Sequence, residues 1–148
     1  MSVIFTGVTL ENVSDIYAVQ FGIKDKSEIR TVIEERALVD TGAWTLVINQ
    51  EIADKLGLEF DRKETSEAAG GNEVEGYMAK PAVRVRLGTD YADVEAFVLP
   101  EEDEIVLGAL PMEIMDLWIS PRSEKLIPRL SKHLVKYNKK GFEEGSNS

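Results

Sequence analysis

The most informative segment of the chain reads Ala37-Leu38-Val39-Asp40-Thr41-Gly42-Ala43. Its apolar beginning predicts a buried strand that delivers the carboxylate of Asp40 into a turn. Thr41 adds a hydroxyl that can form a hydrogen bond to a neighbouring segment and so fix the turn. Gly42 has no side chain, so other main chain can come close. Asp, Thr and Gly are also common turn residues, so the tripeptide alone fits an ordinary strand-end turn as well. The surrounding segments must show whether Asp40 belongs to a functional site or to an ordinary turn.

The residues before this segment predict further strands. Val3 to Leu10 is rich in β-branched residues, as strands are. Ile16 to Ile23 is expected to pair with the run from Ile29 to Val39, through a polar turn at residues 24–28. The first third of the chain is therefore predicted to be β-structure.

The residues after it predict a short strand and a short helix. Thr45 to Ile48 is apolar and β-branched. Asn49 is a suitable N-cap for a helix that Gly57 would end.

A hairpin is predicted in the middle of the chain. Apolar residues alternate from Val83 to Leu87 and again from Val94 to Val98, with Gly88-Thr89-Asp90 as the turn. Arg84 and Arg86 occupy the alternate positions of the first strand, which indicates a solvated face.

The last elements are an apolar strand, a second helix and a hairpin. The strand is Ile105 to Gly108, and Gly108 is expected to serve close packing. Pro111 suits the first turn of a helix, with Met112 facing inward. A hairpin is expected from Leu117 to Ile127. The predicted fold is therefore mostly β, with one or two short helices.

Composition narrows the possible chemistry to carboxylates. The 148 residues contain no cysteine and one histidine, His133, which excludes disulfides, thiolate sites and multi-histidine metal sites. The formal net charge is −10, from 17 Lys and Arg against 27 Asp and Glu, and it argues against nucleic acid as a partner. We expect no metal and no cofactor.

The sequence also gives expectations about organisation and location. No secretory signal follows Met1, and no apolar run approaches the roughly 20 residues that span a bilayer. A cytoplasmic protein without a membrane partner is therefore expected. Residues 1–128 are predicted to form one domain, and residues 129–148 a polar tail that is partly disordered.

Taken together, these segments resemble the retropepsin-like aspartic peptidases, the single-domain clan AA enzymes of bacterial type. The resemblance lies in the order of the segments more than in any one motif. The matching segments are the Asp-Thr-Gly stretch at residues 37–43, the helix Asn49 to Leu58, a flap at Ala68 to Asn72, the apolar-apolar-glycine element Ile105 to Ala109 and the hairpin Leu117 to Ile127.

The resemblance implies a closed β-barrel that forms one half of a two-fold homodimer. Family members use two aspartates to activate a water molecule. The two carboxyl groups share one proton, because like charges about 3 Å apart cannot both ionise. Asp-Thr-Gly occurs once in this chain, so the second aspartate must be Asp40 of another copy. The implied activity is an aspartic endopeptidase acting on polypeptide, with Asp40, Thr41 and Gly42 in the catalytic loop.

The resemblance further implies four substrate-binding residues: Ala43, Trp44, Gly70 and Gly71. The two glycines would form the flap tip, although an ordinary hairpin turn fits them too. Trp44 departs from the family, which usually has a small or polar residue there. Trp44 either narrows a substrate pocket or packs in the core or the dimer interface.

The alternative function is a catalytically silent retropepsin-like dimer that binds peptide or acts in assembly. The intact Asp40 motif favours the enzyme, whereas Trp44 and the weakly matched flap favour the alternative.

Overall fold

A computed structural model describes residues 3–67, 71–120 and 125–128 of the chain. Most of these residues lie in nine strands, so the predicted mostly β fold is confirmed. The strands are β1 (Ile4–Asn12), β2 (Thr31–Val39), β3 (Leu46–Ile48), β4 (Glu59–Glu67), β5 (Glu73–Leu87), β6 (Asp90–Val98), β7 (Val106–Leu107), β8 (Leu117–Ile119) and β9 (Leu126–Pro128).

Six of these strands close into a barrel. Their order is β1-β2-β7-β3-β6-β5, and β5 pairs back onto β1 with Leu10 opposite Val85. Closure leaves no free edge among those six strands, as the predicted closed barrel requires. β4 lies outside the ring, paired only with β5 among the described residues, while β8 and β9 form a separate two-stranded sheet.

The barrel interior is filled by the alternating apolar residues that the sequence predicted. Fully buried side chains come from most strands of the ring, so one core holds them together. Those side chains include Leu10, Ala37, Leu46, Ile48, Val83, Val85, Ala96, Val98 and Leu107. The hairpin of β5 and β6, with its turn at Gly88-Thr89, is therefore confirmed.

Three α-helices are present in the described residues, one more than predicted. They are α1 (Val13–Gln20), α2 (Gln50–Lys55) and α3 (Ala109–Ile114). α2 begins after Asn49, whose side chain accepts a hydrogen bond from the amide of Ile52, as predicted. In α3, Pro111 lies in the first turn and Met112 is buried, both as expected.

The prediction of a strand over Ile16 to Ile23 is wrong, because that segment contains most of α1. Asn12 caps the helix by accepting a 3.0 Å hydrogen bond from the amide of Asp15. Asp15 is itself buried and bound by Arg30 and Lys24, which ties the helix to the chain that follows it. These partners lie beyond the helix, so hydrophobic periodicity alone did not show them.

The solvated face predicted for Arg84 and Arg86 is wrong for Arg84. α1 packs against β5, and Arg84 is only 9% exposed. Its guanidinium donates to both carboxylate oxygens of Asp93, at 2.7 and 2.9 Å, and Arg86 donates to Glu11 at 2.6 Å. The cross-strand ion pair with Asp93 therefore allows Arg84 to be buried, whereas the Arg86 side chain remains 38% exposed.

Two predicted features fall on parts of the chain that the structure does not describe. The turn between β8 and β9 and the polar tail at residues 129–148 lie outside the described residues, although both strands of that last hairpin are present. Among the described residues, no helix is both long enough and apolar enough to span a bilayer.

Candidate active site

Asp40 lies at the end of β2, in a loop that β7 holds from one side. β2 and β7 run parallel, with Leu38 opposite Val106. The amide of Leu38 donates to the carbonyl of Ile105 at 2.8 Å, and that of Asp40 donates to Leu107 at 3.0 Å. The backbone on both sides of the carboxylate is therefore fixed by a buried strand pair.

The turn after Asp40 also fixes the carboxylate itself. The amide of Ala43 donates to the Asp40 carbonyl at 3.0 Å, which closes the turn. The amide of Gly42 donates to Oδ1 of Asp40 at 2.8 Å, so one carboxylate oxygen has a defined position. Asp40, Thr41 and Gly42 are all exposed to solvent in the single chain. The Asp40 carboxylate is thus oriented and also accessible.

Gly108 brings the start of α3 against this loop. Its amide donates to the carbonyl of Thr45 at 3.0 Å, and the next amide, of Ala109, donates to Ala43 at 2.9 Å. A Cβ atom at Gly108 would lie 2.7 Å from the carbonyl oxygen of Ala43. Only glycine permits this approach, which agrees with the close-packing role expected for Gly108.

A groove with a volume of about 620 Å³ opens beside Asp40. Ala43 and Trp44 line it on the loop side, and the hairpin of β4 and β5 lines it on the other. Phe97, Leu99 and Val106 are among its apolar lining residues. The volume is typical of ligand-binding clefts, which are mostly apolar with a few polar groups.

The hairpin of β4 and β5 extends past the barrel, and its strands flank the segment for which a flap was expected. The strands remain paired up to Glu67 and Glu73, and only β5 continues into the barrel ring. Gly71 lies near the tip, exposed, with a φ of +83° that suits glycine. Gly70 lies outside the described residues. Gly71 is not one of the residues that line the groove as the structure has it.

A scan against protein-family models matches residues 19–110 to the aspartyl protease family. The match spans more than half of the chain. The chain belongs to this family.

Solved structures that match this chain include the crystal structure of a retropepsin-like aspartic protease from Rickettsia conorii, which is 18% identical, with 72% of this chain and 78% of that one covered and a TM-score of 0.33. A search of curated proteins finds no match. The aspartyl protease family, to which the sequence resemblance pointed, is confirmed by the family model.

Trp44 is not a core residue. Its side chain is 56% exposed and lines the groove next to Asp40. The core interpretation is therefore wrong, whereas the pocket and interface interpretations both require an exposed side chain. The amide of Leu110 donates to the carbonyl of Trp44 at 2.9 Å, so the backbone beneath the indole is fixed by α3.

The sequence analysis missed most of the residues that line the groove, among them Glu64 and Glu102. Glu64 reaches the groove from β4 and Glu102 from the loop after β6, and both are half-buried. Burial, followed by the nearby Glu104 and Asp103, raises the pKa of the Glu102 carboxyl. The sequence does not indicate that either residue lies beside Asp40, because they come together only when the hairpin of β4 and β5 folds over the barrel. Among the described residues, no group of three or more His, Cys, Asp and Glu is placed to hold a metal ion.

Proposed function

We propose that the chain is an aspartic endopeptidase in which two Asp40 carboxylates, one from each subunit of a homodimer, activate a water molecule. The observation that carries this proposal is the position of Asp40. Its carboxylate is exposed, oriented by the Gly42 amide and placed in a groove beneath a β-hairpin. An extended polypeptide fits a groove of this kind, and a flap that closes over it would exclude bulk solvent while the attacking water molecule is retained.

The chemistry needs one ionised and one protonated carboxyl. The ionised group accepts a proton from the water as the water oxygen bonds to the peptide carbonyl carbon. The protonated group donates to the carbonyl oxygen and stabilises its developing charge. The tetrahedral intermediate then breaks its carbon–nitrogen bond as a carboxyl proton passes to the leaving amine.

The homodimer follows from the single motif in each chain. Asp-Thr-Gly occurs once, and the loop that carries it is exposed over Asp40, Thr41 and Gly42. An isologous pair places the same surface of both copies together, so two such loops can meet at the two-fold axis. Thr41, with an exposed hydroxyl, is proposed to bond across that axis, and Ala43, Trp44, Gly70 and Gly71 are proposed to contact the peptide.

The test is cleavage of a peptide library by the wild type and by Asp40→Asn, followed by mass spectrometry. Asparagine keeps the size of the side chain and removes its charge, so cleavage should fall by several orders of magnitude while the fold is retained. Asp54→Asn is the matched control, because Asp54 is exposed on α2 outside the groove. Cleavage that survives in the purified Asp40 variant would refute the proposal. Library peptides that bind without being cleaved would instead support the silent peptide-binding dimer.

A further inference from the structure

The groove beside Asp40 carries charges of only one sign. Its lining residues include four carboxylates, and no Lys, Arg or His is among the described residues that line it. The carboxylates belong to Asp40, Glu64, Glu67 and Glu102. A cleft lined by one sign of charge concentrates ligands of the opposite sign.

Glu64 lies on the groove-facing side of the flap. It is half-buried on β4 and stands opposite Gly76 on β5. Two residues of the groove, Val74 and Phe97, lie on the same side: Val74 shares the face of β5 with Gly76, and the Phe97 ring lies against Gly76. A carboxylate held among apolar side chains interacts with a cation more strongly than one in open solvent.

Glu102 stands on the loop that follows β6, and its backbone is fixed at two points. Its amide donates to the carbonyl of Leu99 at 3.0 Å, and its carbonyl accepts from the side-chain amide of Asn49 at 3.1 Å. Burial and two neighbouring carboxylates, Glu104 and Asp103, disfavour its ionised form. A cation next to Glu102 would offset both effects, because it favours the ionised form of the carboxyl group.

Glu64 and Glu102 differ from three covered carboxylates outside the groove. Asp15, Asp93 and Glu11 are each covered and each paired with Arg or Lys. Within residues 3–67, 71–120 and 125–128, neither Glu64 nor Glu102 forms a salt bridge. Burial makes an unpaired carboxylate costly, so two such groups facing one groove suit a site that a charged ligand completes.

Resting on the proposed endopeptidase function, we propose that Glu64 and Glu102 select substrates with a lysine or arginine side chain next to the scissile bond. The flap supplies one carboxylate and the barrel loop supplies the other, so the cation is bound when the peptide lies in the groove. Asp40 remains the group that acts on the water, and Glu64 and Glu102 act on specificity alone.

The test compares peptides that differ only at one position, which holds lysine, arginine or the uncharged norleucine. In the wild type, kcat/KM for the lysine and arginine peptides should exceed that for norleucine by about tenfold or more, as expected for a hydrogen-bonded charge pair. In the double variant Glu64→Gln and Glu102→Gln, this ratio should fall to about one. The ratio should also decrease as ionic strength rises.

Two control variants carry the same change outside the groove. Glu75→Gln lies on the opposite face of the flap strand β5, and Glu101→Gln is the exposed neighbour of Glu102. Both should keep the wild-type preference. A preference lost equally in the controls would mean that the net charge of −10 acts at long range, and it would overturn the assignment to Glu64 and Glu102.

A binding measurement separates this inference from the proposed catalysis. Fluorescent lysine and norleucine peptides are titrated into Asp40→Asn, which retains the groove without the catalytic carboxylate. Tighter binding of the lysine peptide, abolished by the two glutamine substitutions, supports the inference even if the wild type cleaves nothing. Equal binding of both peptides, or binding of neither, overturns it whether or not cleavage is observed.

Discussion

The amide of Gly42 donates a 2.8 Å hydrogen bond to the Oδ1 atom of Asp40, two residues before it in the same turn. This bond is made by the main chain, so the glycine orients the carboxylate without any neighbouring side chain. The second oxygen is left for chemistry in the groove. In the proposed mechanism, the reactivity of Asp40 depends on the conformation of a three-residue turn, and small changes there should affect the rate before the stability.

Gly42→Ala tests this dependence directly. A Cβ atom at position 42 would lie 3.1 Å from Oδ1 of Asp40, which is tighter than ordinary contact. The carboxylate must shift by a few tenths of an ångström, and misplacement on that scale costs about tenfold to a hundredfold in rate. We expect kcat to fall by that amount with little change in the melting temperature. Unchanged kcat would show that the orientation of Oδ1 is not critical.

The turn and the strand before it could be predicted because their signals are local. Apolar residues from Ala37 to Val39, followed at once by Asp40 and a glycine, specify a buried strand and a tight turn without reference to distant residues. α1 could not be found in this way. Its capping residue Asn12 also donates to the carbonyl of Leu56, 44 residues away, and that contact exists only in the folded protein.

The lining of the groove could not be predicted from the sequence for the same reason. Trp44 was identified because it adjoins the motif, although sequence could not say which way the indole faces. Glu64 and Glu102 are separated from Asp40 by whole strands, and the groove forms only when β4, β6 and the catalytic loop are assembled. Acidic residues are frequent in this chain, so neither glutamate was distinctive in sequence.

Gly108→Ala should destabilise the protein through backbone crowding. The added methyl would overlap the carbonyl oxygens of Ala43 and Thr45, which have no room to move because both accept hydrogen bonds from this segment. We expect a loss of about 1–3 kcal/mol in the free energy of unfolding, measured by urea titration. Gly7→Ala is the control, since its Cβ would lie 3.8 Å from the nearest atom, and it should change stability by about 0.5 kcal/mol at most. Equal losses in both variants would contradict the crowding argument.

Trp44→Ala should change substrate preference more than stability. The indole is 56% exposed and lines the groove, so its removal enlarges a pocket without opening a core cavity. We expect cleavage profiling to show a shift towards bulkier side chains, with a stability change of about 1 kcal/mol or less. Phe60→Ala is the matched control, because Phe60 is also 56% exposed but lies outside the groove. A shift of equal size in both variants would show that Trp44 has no specific role.

The Asp15 ion pair makes stability depend on pH in the acidic range. Side-chain hydrogen bonds from Arg30, with a further one from Lys24, hold the pKa of Asp15 well below its ordinary value despite burial. A depressed folded-state pKa stabilises the protein above the unfolded pKa of about 3.9, and this stabilisation is lost as pH falls below it. The free energy of unfolding should therefore lose up to about 1.4 kcal/mol per pH unit from this group.

Asp15→Asn should remove that part of the acid dependence. Urea titrations of the wild type and the variant between neutral pH and strongly acidic pH measure the difference in slope. The variant should be less stable at neutral pH, by about 1–3 kcal/mol, because it loses charge-assisted hydrogen bonds in a buried position. Asp54→Asn, on the exposed face of α2, should leave the slope unchanged. Parallel curves for wild type and Asp15→Asn would show that this ion pair does not set the acid response.

The wild type and Asp40→Asn can be unfolded together and refolded so that chains pair at random. The activity of the mixture should then follow the square of the wild-type fraction. The reason is that each chain supplies one Asp-Thr-Gly motif, so a site with two carboxylates forms only in wild-type homodimers. At equal proportions about a quarter of the dimers should be active, as random isologous pairing requires. Size-exclusion chromatography of the refolded mixture first establishes that dimers form, and Asp54→Asn mixed in the same way should leave activity independent of composition. A linear dependence, with about half of the activity at equal proportions, would show that one carboxylate per site is enough and would reject the shared Asp40 pair.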